Sequence, residues 1–245
     1  MKKFTLLLLL CFSSSLLLAQ NFKFGKVSKT ELEEKAYPLD STANAAYLYK
    51  YKKIFFEYSG DDGWTQVTEV HERIKIYNKR GFDYATHQVS MYESGGVKVQ
   101  FSGFKGYTYS LKNGKLTKEK LTKKNIFKEK NTKNWKTRKI TFPNVEEGVV
   151  LEYKYRIVSP YWSYIDDIIL QHKIPIKSVK ILVKIPEYMV FNRKIKGYLF
   201  VNVKQTKANR TINYFYTVSF GIAKTSKEFN SKQLSDVIYT INKNN

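Results

Sequence analysis

Alternation with a period of two dominates this chain. Between Trp64 and Tyr77, Val70, Ile74 and Ile76 share one parity, while Glu69, His71, Arg73 and Lys75 share the other. Successive strand side chains point to opposite faces, so the pattern predicts a half-buried strand with a polar face toward water. Val149, Leu151, Tyr153, Tyr155 and Ile157 repeat the rhythm and predict a second strand with one buried face. Further strands are expected over Ala45–Tyr58, Val97–Leu111, Lys115–Leu121, Trp135–Phe142, Trp162–His172 and Ser178–Ile185, with weaker ones over Gly197–Val203 and Thr211–Phe220.

Turn chemistry separates these runs. Asn113-Gly114 suits a two-residue hairpin. Gly60-Asp61-Asp62-Gly63 and Ser94-Gly95-Gly96 also read as turns. Lys79-Arg80-Gly81 is expected to close a hairpin in which Phe82–Tyr92 pairs back on the Trp64–Tyr77 strand, with Gly81 at a positive φ. Ser28-Lys29-Thr30-Glu31 is a capping box that opens a short helix over Lys29–Ala36, which Pro38 stops. Residues 118–134 are basic and read as a loop with a helical turn, and Ser226–Ile241 as a weak terminal helix. Many short strands and little helix predict an all-β fold, an antiparallel β-sandwich with a short N-terminal helix.

The first twenty residues read as an export signal. Lys2 and Lys3 precede an apolar stretch from Phe4 to Leu18, and Ala19-Gln20 offers the cut. That stretch is shorter than the roughly 20 residues of a spanning helix. The alternative is a retained N-terminal anchor. The expected organisation is a signal peptide over 1–20, a sandwich domain over 21–221 and a poorly ordered or helical tail over 222–245. Cys11, the single cysteine, lies in the apolar stretch, so the mature chain would carry neither a disulfide nor a thiol nucleophile. The expected location is the periplasm or the extracellular space.

Charge adds a second theme. The formal net charge is +22, and residues 112–139 hold twelve Lys and Arg against Glu119 and Glu129. Lys123, Lys124, Lys128, Lys130, Lys133, Lys136, Arg138 and Lys139 are the candidate contacts for an anionic envelope polymer. The competing reading is a solvated face that keeps the protein soluble. Lysine dominates over arginine, whereas planar phosphate recognition favours arginine, so nucleic acid is not an expected partner.

Candidate chemistry is sparse. His71 and His87 flank the expected hairpin, and with Glu69 or Glu72 they could approach a zinc site. Glu72 points away from His71 on a strand, and no third ligand falls at a fixed spacing, so surface or hydrogen-bonded histidines are expected instead. Asp166, Asp167 and His172 could serve an enzyme of unrecognised type, but strand neighbours face opposite sides and cannot form a dyad. Tyr161, Trp162 and Tyr164 form an aromatic cluster that could stack on a sugar or peptide, but core packing is the default in an aromatic-rich sandwich. There is no P-loop, G-x-S-x-G or H-E-x-x-H motif. No cofactor, catalytic residue or metal ligand is expected.

Four blocks carry a resemblance: VTEVHERIKIYNKRGFDYAT (Val67–Thr86), KVSKTELEEKAYPLDSTANA from Lys26, FPNVEEGVVLEYKYRIVSPY (Phe142–Tyr161) and KIPEYMVFN (Lys184–Asn192). Together they run from about Phe24 to about Tyr198 and resemble DUF3857. The resemblance implies an exported domain of Bacteroidetes-type bacteria that usually precedes a transglutaminase-like Cys-His-Asp core. That chemistry transfers to no residue here, because no cysteine follows Cys11. The family's usual acidic, proline-containing continuation is also replaced by a basic, Asn-rich, proline-free stretch over Ile222–Asn245. The expected role is a non-catalytic interaction or accessory module associated with transglutaminase-like proteins. The alternatives are a binder of anionic envelope polymers through residues 112–139 and a truncated fragment of a transglutaminase-like enzyme.

Overall fold

A computed structural model describes residues 22–196, 201–218 and 238–243. The expected signal peptide lies outside them. The described chain opens with helix α1 (Lys29–Glu33), shorter than expected, and its Ser28–Glu31 capping box is present. Strands follow: β1 (Ala45–Ser59), β2 (Gly63–Ile76), β3 (Thr86–Ser94), β4 (Val97–Lys98) and β5 (Gln100–Lys112). Next come β6 (Lys115–Lys120), β7 (Ile126–Lys130), β8 (Trp135–Thr141), β9 (Val150–Ser159) and β10 (Tyr164–Ile169). The last are β11 (Val179–Pro186), β12 (Phe191–Ile195), β13 (Val201–Ala208), β14 (Thr211–Val218) and β15 (Ile238–Lys243).

The fold is an all-β sandwich. An eight-stranded sheet, ordered β13-β14-β11-β1-β2-β9-β5-β6, forms one layer. A four-stranded sheet, β4-β3-β8-β7, and a three-stranded sheet, β10-β15-β12, lie against it. The inner face of the large sheet supplies Val70 and Ile74 from β2, Leu151 and Tyr153 from β9, and Ile181 and Val183 from β11. These pack in one cluster with Val89 and Met91 of β3, Ile140 of β8, and Ile165 and Ile168 of β10. Burying each such aliphatic side chain contributes about 1.5–3 kcal/mol relative to exposure. Val149, Leu151, Tyr153 and Tyr155 are all buried, as the alternation predicted, and Ile157 is half-buried.

Pairing is antiparallel except between β1 and β11, which run parallel from Lys50↔Val179 to Ile54↔Val183. Asn113 (φ 50°) and Gly114 (φ 72°) close the β5–β6 hairpin with the left-handed residues that such a turn needs. A bulge at Leu48 flips the parity of β1. Tyr47 faces Ile74 across the ladder while Tyr49 faces Arg73, so Tyr47 and Lys50 both reach the inner layer. Leu48 turns outward instead and joins Leu32, Tyr109 and Val150 in a second cluster beneath α1.

Four expectations are corrected. Residues 79–85 form a 3-10 segment, and β3 pairs with β8 in the opposite layer rather than with β2. Gly81 has no positive φ; a Cβ there would stand 2.4 Å from the Asn44 carbonyl oxygen, so close backbone approach selects glycine. Residues 126–130, read as loop, are strand β7, and residues 238–241, read as the end of a helix, belong to strand β15. Residues 226–237 of that expected helix lie outside the described residues.

Candidate functional site

The polar parity of β2 is not solvated. Arg73 and Lys75 are buried on the outer face of the large sheet, beneath α1 and the segment that precedes it. Arg73 donates to Glu152 Oε1 at 2.6 Å, to Glu31 Oε1 at 2.7 Å, and to the carbonyls of Lys23 and Lys26. Glu152 also meets His71 Nε2 at 2.9 Å and accepts from the Gly25 N–H and the Tyr109 hydroxyl. Burial would raise the Glu152 pKa, but His71, Arg73 and the Gly25 N–H together hold it below the usual carboxylate range. Lys75 donates to the Leu32 and Gly148 carbonyls at 2.7 Å each, and burial lowers its pKa to about 8. Every strong donor here ends on a protein acceptor, as burial of charge requires.

A second network lies between the layers. Glu72 shares the inner face with Val70 and Ile74 and accepts from the Lys50 ammonium at 2.8 Å. The Tyr153 hydroxyl donates to the other Glu72 oxygen. His87 Nδ1 lies 3.0 Å from the Tyr153 oxygen and its Nε2 lies 3.1 Å from the Tyr155 oxygen. Because Tyr153 spends its proton on Glu72, it must accept from His87 Nδ1–H, and Tyr155 then donates to Nε2. Hydrogen bonds thus run in one direction from Tyr155 through His87 and Tyr153 to the Lys50–Glu72 ion pair. Burial opposes the Glu72 charge, yet the Lys50 ammonium and the Tyr153 hydroxyl outweigh it and hold the carboxyl at about 2. Burial and the nearby lysines lower the His87 pKa against the pull of Glu72, and the ring is neutral.

His71 and His87 are therefore on opposite faces of the sheet. The reason is topological: the chain crosses between layers after β2, which a hairpin would not do. Among the described residues no group of three or more His, Cys, Asp and Glu could hold a metal ion. Asp166 and Asp167 lie on β10, with a register irregularity between Ile165 and Ile168. His172 lies elsewhere: its ring is 4.9 Å from Tyr47, and its Nε2 is buried without a hydrogen-bond partner among the described residues. Burial and Lys50 lower its pKa to about 4.

The basic segment folds onto the edge of the four-stranded sheet. Lys128 sits opposite Arg138 and Lys130 opposite Lys136 on the β7–β8 ladder. Like charges facing each other across a ladder are destabilising. These four line a groove of about 330 Å³, in which Glu93 pairs with Lys136 and Lys98. Lys139 makes a 4.0 Å pair with Glu129. Lys123 and Lys124 lie in an exposed 3-10 turn and Lys133 in the β7–β8 turn, away from that groove.

Sequence reasoning missed both buried networks. A signal existed in Glu72, Lys50 and Glu152, charged residues embedded in runs whose neighbours are buried. No helix among the described residues is long and apolar enough to cross a membrane.

No family model matches the chain, and no curated protein does. Among solved structures, a candidate protease from Parabacteroides distasonis is similar at a TM-score of 0.62 and 14% identity, over 81% of this chain and 40% of that one. A candidate nutrient-binding protein from Legionella pneumophila matches at a TM-score of 0.38 and 9% identity, over 83% and 68% of the two chains. An M1 zinc metallopeptidase from Deinococcus radiodurans matches at 0.33 and 10%, over 76% and 41%. The first likeness is one of fold, and this chain spans about two fifths of that protein's length.

Proposed function

We propose that the chain is a non-catalytic, exported β-sandwich of DUF3857 type that acts as an interaction or accessory module for transglutaminase-like proteins. One observation carries this reading. The two buried clusters that could do chemistry are closed on themselves: His71 and Arg73 on Glu152, and Lys50 on Glu72, to which His87 of β3 connects through Tyr153. Groups closed into such networks hold a fold, whereas a nucleophile and its base must face a substrate. The sequence agrees, since a cut after Gln20 removes its single cysteine.

Purified chain beginning at Asn21 should show no acyl transfer or peptide hydrolysis with glutamine-containing peptides. Turnover that survives a cysteine-directed reagent and is lost on changing His87→Gln would overturn the reading. The groove lined by Lys128, Lys130, Lys136 and Arg138 favours a second reading, salt-sensitive association with anionic envelope polymers.

A further inference from the structure

We propose that the open end of the sandwich holds a saccharide-binding site, selective for a sugar that carries a carboxylate. This names a ligand class for the accessory module proposed above and rests on that reading. A cavity of about 470 Å³ lies there, within the usual size range of small-molecule sites. Its floor is the inner face of the large sheet, where Lys52 of β1, Thr68 of β2 and Tyr155 of β9 project. Its walls come from β3, the start of β8, and the passage from β9 into β10.

The chemistry of the lining selects the ligand. Tyr92, Trp135, Tyr161 and Tyr164 bring aromatic rings to the walls, and Trp135 and Tyr164 are exposed. Exposed rings beside a cavity offer flat apolar faces for the C–H face of a pyranose. Ser90, Ser159 and Ser163 offer neutral hydroxyls to its hydroxyl groups. Asp166 adds a carboxylate that can accept from a pair of sugar hydroxyls.

Lys52 decides the charge. It lines the cavity and has no direct hydrogen bond or ion pair among the described residues, while the Asp166 carboxylate of the same cavity and Glu72 attract it from farther off. The nearby Glu72 is already bound by Lys50. An ammonium with no direct partner, whose charge burial and Lys50 disfavour, favours an anionic group on the ligand. The floor offers side chains alone: β1, β2 and β9 are each paired on both sides there, so an extended peptide finds no free strand to extend.

The test is calorimetric titration of the chain from Asn21 with trigalacturonate, its trimethyl ester, and Gly-Trp-Gly with a free carboxylate. Trigalacturonate should bind. Removing the charge from either partner, by the ester or by Lys52→Met, should weaken binding by about ten- to a hundredfold, the usual worth of a charged hydrogen bond. Trp135→Ala should weaken both sugars alike. Circular dichroism of each variant separates lost binding from lost folding, and the ester comparison needs no variant at all. Equal affinity for acid and ester, tighter binding of the peptide, or no binding of trigalacturonate by folded protein would each overturn the proposal. So would loss of binding in Lys123→Glu/Lys124→Glu/Lys128→Glu, which would move the site to the basic face. Chromatography of the recovered sugar separates the two readings: cleaved sugar would end the non-catalytic reading and leave the site standing.

Discussion

Single residues show why this sheet tolerates charge. Arg73 is 2% exposed and Glu152 is fully buried, yet each finds its partners within the fold. Leu151, also fully buried, shows the apolar side of the same strand. Leu151→Ala should cost about 2–5 kcal/mol in urea unfolding, the range for a core leucine, and a loss of under about 0.5 kcal/mol would put that residue on the surface. His172 makes the fold acid-sensitive. Its folded pKa of about 4 lies below the usual 6.5. Above pH 6.5 both states are neutral and its contribution is complete. As pH falls below 6.5 the unfolded chain takes up a proton that the folded chain refuses, so stability declines until about pH 4. The loss is at most about 3 kcal/mol, less what solvent screens at the half-buried ring. His172→Phe should therefore lose less stability than wild type between pH 7 and pH 4.5, and parallel losses would remove His172 as the cause.

Elements explain what the sequence made legible. The buried parity of β9 and the Asn113-Gly114 hairpin follow from local pattern and local φ, and both are present. The crossing after β2 is not local. Lys79-Arg80-Gly81 has the composition of a hairpin turn, but Gly81 packs against the Asn44 carbonyl, a contact set by the start of β1. Period-two reasoning also placed Arg73 and Lys75 in water correctly by parity and wrongly by burial, because α1 and residues 22–28 cover that face. The inner network was hidden for a related reason. Its members come from β1, β2, β3 and β9, and only the bulge at Leu48 brings Lys50 to Glu72. Gly81→Ala should cost about 1–3 kcal/mol, the range for overpacking where backbone cannot retreat. A thermal melt unchanged from wild type would mean that the Asn44 segment moves freely.

At the scale of the molecule, the large sheet carries the buried charge networks, and exposed lysines lie on both layers, on β6 and β13 of the large sheet and on β7 and β8 of the four-stranded one. Lys123→Glu/Lys124→Glu/Lys128→Glu should leave unfolding free energy within about 0.5 kcal/mol of wild type, since these side chains are exposed. Association of wild type with heparin should fade with rising salt, because exposed charges are screened beyond about 10 Å at 0.1 M. Salt-resistant binding lost in the triple variant would make the basic face a specific site.

The claim that the buried ionisable groups are committed to one another is tested most directly by a double-mutant cycle in urea unfolding on Lys50 and Glu72, whose side chains meet at 2.8 Å. Lys50→Met leaves Glu72 charged and unpaired between the layers and should cost about 3–5 kcal/mol. Lys50→Met/Glu72→Met should recover most of that loss, because an apolar pair of similar volume needs no counter-charge. A single change within about 0.5 kcal/mol of wild type, or two losses that simply add, would contradict it.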